Sequence, residues 1–299
     1  MPGASAEPRR LRVVTWNVRA GIGPGEPFPP AWWRHVRHER LAAIAAFLRE
    51  LDPDVVTLQE VGVFTVDGDL LDERTVFATA TGLRARYGAA NGYPLVGPDG
   101  GAPVGAAIWG NAVLTREALG DVIATGLPRA ADDDVVEPRA VEHPLAGVRY
   151  ADTDQGHREG RCVVGGILGL AGASAAGVGA AGVAVATTHL TYIGREQRAG
   201  QAAAARQIAE SMANERPLIF TGDFNASIDA PELAPGVTGL TDALAAVGIA
   251  PGDERRRTCG RLAIDHVLVR GLEVIGCRVA SEAGDLSDHW PVVADLAIA

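Results

Sequence analysis

Cysteine is scarce in this sequence. Three in 299 residues, Cys162, Cys259 and Cys277, are too scattered for a disulfide framework, and no CxxC pair suggests zinc. Free thiols in a reducing, cytoplasmic setting fit that usage. Aromatic residues make up only 5%, and no basic stripe with interleaved aromatics appears. The formal net charge is −10, so the overall field does not attract a nucleic-acid backbone; only a local groove with a cation would hold one. Residues 1–11 contain no apolar run of the kind a secretory signal needs. Charge is absent altogether from Cys162 to Thr188, a length that qualifies as a membrane span. That stretch holds seven glycines and few bulky apolar side chains, so it gains little by leaving water. Two strands around the turn Gly172-Ala173-Ser174 are expected there instead. No repeat of about 20–50 residues and no interdomain linker is visible.

What is present is a globular composition, 47% hydrophobic and 21% charged. Val13-Val14-Thr15-Trp16-Asn17 is a β-branched run and reads as a strand. A Gly- and Pro-dense loop covers Gly21 to Pro30. Leu41, Ile44, Leu48 and Leu51 recur at helical spacing, predicting a helix over 34–51 that Asp52-Pro53-Asp54 stops. Val55 to Leu58 is the next strand, ending at Gln59-Glu60. Ala106 to Thr115 reads as a strand interrupted at Gly110-Asn111. Residues 126–160, rich in Pro, Asp, Arg and Gly, read as a surface excursion or lid. Strands are expected over 161–170, 183–190, 217–221, 264–269, 274–280 and 290–298, with helices over 195–214 and 241–247. Strands cluster rather than alternate strictly with helices. The expected architecture is therefore α+β: two mixed sheets packed face to face with helices outside, residues 1–10 forming a disordered tail and 11–299 one domain.

Polar residues recur at the ends of these apolar runs: Asn17, Glu60, Asn111, His189, Asp223, Asn225, Asp265, Asp288 and His289. A single acid after a strand is an ordinary turn or cap residue. Nine groups of matching chemistry point to a site built where sheet edges converge. Phosphoester hydrolysis needs a hard cation held by carboxylates, a base for water, and neutral donors facing the charge that develops on phosphorus. This mixture of Glu, Asp, Asn and His supplies all three.

The motifs Thr15-Trp16-Asn17-Val18, Leu58-Gln59-Glu60-Val61, Gly110-Asn111-Ala112-Val113-Leu114, Thr188-His189-Leu190, Gly222-Asp223-Phe224-Asn225, Ile264-Asp265-His266-Val267 and Ser287-Asp288-His289-Trp290-Pro291 stand in an order that resembles the endonuclease/exonuclease/phosphatase superfamily. The resemblance spans residues 13–298. It implies a four-layer α/β-β/α sandwich of the DNase I-like kind, with the site at one end of the two sheets. It also implies Mg²⁺, with Mn²⁺ as a substitute, held by Glu60 with Asn17 and Asp288. Asp223 would align the attacking water and Asn225 contact phosphoryl oxygens. His289 would act as base or phosphate-stabilising group, oriented by Asp265. His189 would contact phosphate or aid the leaving group, and Asn111 would support the network and the phosphate. A carboxylate beside one imidazole nitrogen fixes the tautomer and favours the charged ring, so the Asp265–His289 pairing is also sound physically.

The implied activity is hydrolysis of a phosphodiester, in nucleic acid, a phospholipid headgroup or a small phosphate ester. A phosphomonoesterase acting on an inositol or sugar phosphate, or an inactive binding module, would share the fold. A monomer without membrane insertion or protein partner is expected. Loops 19–33, 62–75, 88–105 and 126–160, with Trp32, Trp33, Tyr93 and Tyr192, would choose the substrate. Arg161, Arg195, Arg198 and Gln201 stand where they would either reach a phosphate or simply solvate a surface. His266 is expected to point away from Asp265 by strand alternation, and His35 and His38 to lie on an exposed helix face.

Overall fold

Strand β1 (Arg9–Asn17) lies between a parallel and an antiparallel partner, and the rest of the first sheet grows from it. The structure, a computed structural model, describes residues 9–26, 36, 38–66, 68–96, 103–129, 140–142, 149–151, 160–170 and 182–298. In chain order the further strands are β2 (Val55–Val66), β3 (Asp69–Asp72), β4 (Arg84–Val96), β5 (Pro103–Thr115), β6 (Leu119–Gly126), β7 (Ala140–Glu142), β8 (Arg149–Ala151), β9 (Cys162–Leu168), β10 (Val183–His189), β11 (Leu218–Asp223), β12 (Thr241–Asp242), β13 (Asp265–Arg270), β14 (Glu273–Val279) and β15 (Val292–Ile298). The helices are α1 (His38–Glu50), α2 (Glu73–Thr81), α3 (Arg195–Ala213), α4 (Ala234–Val237) and α5 (Ala243–Ala246). One sheet runs β14-β15-β1-β2-β5-β4, with β3 added to β2; the other runs β12-β13-β11-β10-β9-β6.

Period-two alternation explains the layers. Val14, Trp16, Val56, Leu58 and Leu114 point outward from the first sheet onto Leu41, Ile44 and Leu48 of α1 and Phe77 of α2. Their neighbours Val13, Val55 and Val113 point inward against Val183, Val185, Ile219 and Val267 of the second sheet. The outer face of that sheet, with Ala184, Ala186, Leu218 and Phe220, packs on Ala202, Ala205 and Ala209 of α3. The small residues of α3 let the helix lie close to the sheet. The result is helix, sheet, sheet, helix: the α/β-β/α sandwich with two mixed sheets.

The inner face changes character along its length. Beyond the Val and Ile tier lies a buried tier of Thr15, Thr57, Thr187 and Thr221. Thr57 Oγ1 and Thr221 Oγ1 are 2.8 Å apart, joining the two sheets, and Gln59 Nε2 donates to Thr15 Oγ1 (3.2 Å) and Thr187 Oγ1 (2.9 Å). The next tier holds Asn17, His189 and Asp223. A polar layer is thus interposed between the dry core and the polar cluster, joined across the sheets by the Thr57–Thr221 and Gln59–Thr187 bonds.

Several elements differ from the sequence expectation. β1 begins at Arg9, where Arg9 and Arg10 pair with Ile298 and Ala297, ahead of the expected strand start at Val13; residues 1–8 lie outside the described residues. β2 does not end at Glu60 but continues to Val66, and β5 is not interrupted at Gly110-Asn111. Gly110 is needed within β5 because a Cβ there would collide with the Gly88 carbonyl of β4. Thr241–Asp242 is a short strand, with helix only at Ala243–Ala246. Within 126–160, β7 and β8 pair antiparallel; most of that segment and the turn 172–174 lie outside the described residues. The uncharged stretch forms the buried strands β9 and β10, and no helix among the described residues is long and apolar enough to cross a membrane.

Candidate active site

Three neighbouring strands of the second sheet set one side of the site by register alone. His189 of β10 pairs with Asp223 of β11, and Asp223 pairs with Asp265 of β13. The three side chains form a row at one end of the sheet, all buried. The turn after Asp223 adds Asn225, whose φ of 51° lets its backbone N–H donate back to Asp223 Oδ1 at 2.9 Å. Asn225 Nδ2 lies 3.0 Å from His189 Nε2 and donates to the Leu190 carbonyl at 2.9 Å. Gly222 is obligatory at the head of this motif: its φ is 145°, and a Cβ would run into the Thr188 carbonyl.

The first sheet contributes Asn17 and Glu60 by a different device. Asn17 and Gln59 are register partners. Gln59 points inward, so simple alternation would send Glu60 outward to the helices. A bulge corrects this: between the pairs Leu58–Ala112 and Val61–Gly110, the single residue Asn111 faces both Gln59 and Glu60. Glu60 takes φ 56°, and its carboxylate turns back to the site. Asn17 Nδ2 then donates to both Glu60 Oε1 and Asp223 Oδ2, each at 3.0 Å, joining the two sheets. Glu60 Oε1 also lies 4.0 Å from His189 Nδ1.

His289 arrives on the turn before β15. Trp16 Nε1 donates to its carbonyl at 2.8 Å, and Ser287 Oγ donates to the Asn17 carbonyl at 2.8 Å, fastening the turn to β1. His289 Nδ1 lies 2.8 Å from Asp265 Oδ2, while Nε2 faces Asp223 Oδ2 at 3.8 Å. His189 Nε2 is 3.5 Å from the same Asp223 oxygen.

The two histidines are driven in opposite directions. Burial opposes charge on His289, but the charge of Asp265, the neighbouring Cys259 and their hydrogen bonds outweigh it and hold the ring well above its ordinary pKa. Burial, with the charges of Arg161 and His289, pushes His189 well below, so it stays neutral. Burial and the charge of Asp265 raise the Asp223 carboxyl to about 6, against the pull of His289, Asn17 and Asn225. A cationic imidazole, a neutral one and a carboxylate that titrates near neutrality thus stand within a few ångströms of one another.

The donor chemistry fits a hard divalent cation. Glu60 and Asp223 bring carboxylate oxygens together at one point, where Asn17 Nδ2 donates to both while its Oδ1 is turned to the Arg19 N–H. Asp265 Oδ1 is buried with no hydrogen-bond partner among the described residues. Asp223, Asp265 and His289 also each offer one ligand atom, all within 4.8 Å of one another. In that trio, however, Asp265 Oδ2 and His289 Nδ1 are engaged with each other.

The other expected residues have these partners. Asp288, expected with Glu60 as a ligand, is ion-paired with Arg19, Nε to Oδ2 at 3.2 Å, and both side chains are buried. Arg19 Nη1 and Nη2 donate to the carbonyls of Gly23 and Glu26, and its backbone N–H donates to Asn17 Oδ1 at 3.0 Å. Sequence reasoning missed Arg19, whose only signal was its place two residues after Asn17. Asn111 Nδ2 donates to the Cys162 carbonyl at 3.0 Å, tying β5 to β9 across the sheets. Arg198 donates to the carbonyls of Thr191 and Tyr192 and to Glu232, and Gln201 accepts from Thr191 N–H; both fix the loop after His189 rather than offering themselves to phosphate. Arg195 is exposed and 3.9 Å from Glu232. Arg161 is buried near His189. His266 Nε2 contacts the Ala226 carbonyl at 2.9 Å, away from the cluster. His38 is exposed, whereas His35, Trp32, Trp33 and the side chain of Tyr93 lie outside the described residues.

Two mixed sheets with helices outside and a hard-donor cluster at one end define a DNase I-like sandwich. The chain matches the Endonuclease/Exonuclease/phosphatase family over residues 14–289 and belongs to that family, a superfamily of metal-dependent phosphoesterases. Among solved structures it is similar to the human Nocturnin catalytic domain with bound sulfate (19% identity, TM-score 0.64, covering 98% of this chain and 94% of that one). It is also similar to an endonuclease/exonuclease/phosphatase from Beutenbergia cavernae (21%, TM-score 0.62, 97% and 72%). A mannosyl-6-phosphatase from Bacteroides thetaiotaomicron aligns as well (17%, TM-score 0.61, 96% and 100%). At these identities the likeness is one of fold. No curated protein matches the sequence.

Proposed function

We propose that this protein is a Mg²⁺-dependent hydrolase of a phosphodiester bond, working in the cytoplasm as a monomer. The observation that carries the reading is the junction at Asn17. One amide gathers Glu60 from the first sheet and Asp223 from the second, beside a row of His189, Asp223 and Asp265 that His289 completes. Glu60 and Asp223 would hold the cation, with Mn²⁺ as a substitute, and Asn17, whose Nδ2 donates to both carboxylates, would hold them in place. A bound divalent ion supplies charge that stabilises phosphoryl oxygens and favours ionisation of water.

The chain's own groups do the rest. Asp223, its Oδ1 held by the Asn225 N–H, aligns the attacking water and accepts its proton. His289, kept cationic by Asp265, donates through Nε2 to the phosphoryl group as charge builds. With Asn225 Nδ2 donating to His189 Nε2, the neutral His189 carries its proton on Nδ1. Asn225, held by its own backbone bond to Asp223, fixes the His189 ring and the Leu190 carbonyl through Nδ2. Three free cysteines, each with a pKa raised first by burial, fit a reducing compartment.

The test is hydrolysis of a panel by wild type and His289→Ala, with Mg²⁺, Mn²⁺ or chelator. The panel holds DNA, RNA, a cyclic nucleotide, sphingomyelin, inositol and sugar phosphates and a chromogenic diester. Metal-dependent turnover of diesters, lost in the variant, is the expected result. Turnover confined to monoesters would reassign the substrate class, and turnover that survives in His289→Ala would remove the site assignment.

A further inference from the structure

Directly after the bulge that turns Glu60 into the site, two backbone groups of β2 are bonded by side chains from other elements. Glu73, the first residue of α2, is completely buried (0% exposed) and accepts the Gly62 N–H at 2.7 Å through Oε2. Tyr87, on β4, donates its hydroxyl to the Val61 carbonyl at 3.0 Å. The two residues that follow Glu60 are therefore each held by a side chain from a different element.

Both clamps are themselves fixed. Asp72 caps α2, accepting from Arg74 N–H at 3.0 Å, and so sets where Glu73 begins the helix. The Arg74 guanidinium lies 4.8 Å from the centre of the Tyr87 ring and also pairs with Asp72. Glu73 Oε1 is buried with no hydrogen-bond partner among the described residues. A buried carboxyl beside other acids is an expensive group to keep merely as packing. Burial first, then the Asp72 and Glu60 charges, push it well above the usual carboxylate range, against the Gly62 bond, so the neutral acid is favoured.

We propose that Glu73 and Tyr87 are positioning residues that lock the β2 bulge and so aim Glu60 at the cation, Glu73 serving as a buried hydrogen-bond acceptor. The inference rests on the reading of Glu60 as a cation ligand.

The experiment measures Mn²⁺ affinity of the full chain by electron paramagnetic resonance of free Mn²⁺, together with hydrogen exchange at the Gly62 amide in metal-free protein. Glu73→Gln keeps an acceptor of the same shape; it should hold Mn²⁺ within about twofold of wild type, with Gly62 protected. Glu73→Leu should bind at least about tenfold more weakly, as for the loss of a group that orients a ligand, with Gly62 exchanging freely. Tyr87→Phe should weaken binding in the same direction by less, and it carries the test where Glu73→Leu does not fold. Wild-type affinity in folded Glu73→Leu or in Tyr87→Phe, or a Gln variant as weak as the Leu variant, overturns the proposal. Glu60→Gln separates the two levels. If it binds Mn²⁺ like wild type, the ligand reading and the clamp both fall. If it loses affinity while Glu73→Leu does not, only the clamp falls.

Discussion

The two sheets build their halves of the site in opposite ways. In the second sheet, His189, Asp223 and Asp265 are register partners on adjacent strands, so ordinary pairing places them side by side. In the first, register places Gln59, not Glu60, beside Asn17, and an extra residue with a left-handed backbone is needed to bring the carboxylate round. A row set by register depends on the whole ladder. A residue set by a bulge depends on local contacts, and can be displaced without unpairing the sheet. Damage to the first kind should therefore appear in stability and rate together, and damage to the second chiefly in cation binding.

The largest effect is expected at the row. Asp223→Ala should lower kcat about 10²–10⁴-fold, the usual range for a proton-transfer group, as measured by steady-state hydrolysis of a chromogenic diester. Gly222→Ala sharpens the contrast. Overpacking against the Thr188 carbonyl should cost about 1–3 kcal/mol in denaturant unfolding, with activity falling as the strand end shifts.

The Thr57–Thr221 bond tests how the halves are held together. Thr57→Val leaves a buried hydroxyl without this partner and should cost about 1–3 kcal/mol, whereas the Thr57→Val/Thr221→Val pair should recover much of it. Unfolding of the two single variants and the double variant checks this, and strict additivity would mean that the sheets are not coupled at that point.

The smallest effect is in pH. The folded pKa of Asp223, about 6, lies above its ordinary 3.8, so its contribution to stability is present at low pH and is lost as pH rises through about 6. Thermal melting in chelator should therefore show Tm falling between pH 5 and pH 7 in wild type, and falling less in Asp223→Asn.

The same contrast governs what the sequence reveals. The row was legible because each of its members closes an apolar run, and alternation places such residues on one face. The pairing of Asp265 with His289 follows from chemistry once both are at a strand end. The bulge was not legible: Glu60 is no glycine, so nothing in Leu58-Gln59-Glu60-Val61 marks a left-handed residue, and the run reads as a strand that stops. The Arg19–Asp288 pair joins residues too far apart in sequence for spacing to signal it. Helix α2 was hidden because Thr75, Val76, Thr79 and Thr81 are β-branched; its cap at Asp72 and the packing of Phe77 override that propensity. β4, with Gly88, Gly92 and Pro94, offers no clean alternation, and its pairing with β5 alone reveals it.

The most direct test of the account is Mg²⁺ titration of diester hydrolysis by wild type and Glu60→Gln. Saturable turnover that chelator abolishes, with half-saturation in the variant shifted upward by about tenfold or more, is the predicted result. Undiminished turnover in chelator, or the same Mg²⁺ dependence in both proteins, would contradict the claim that the two halves meet around a cation.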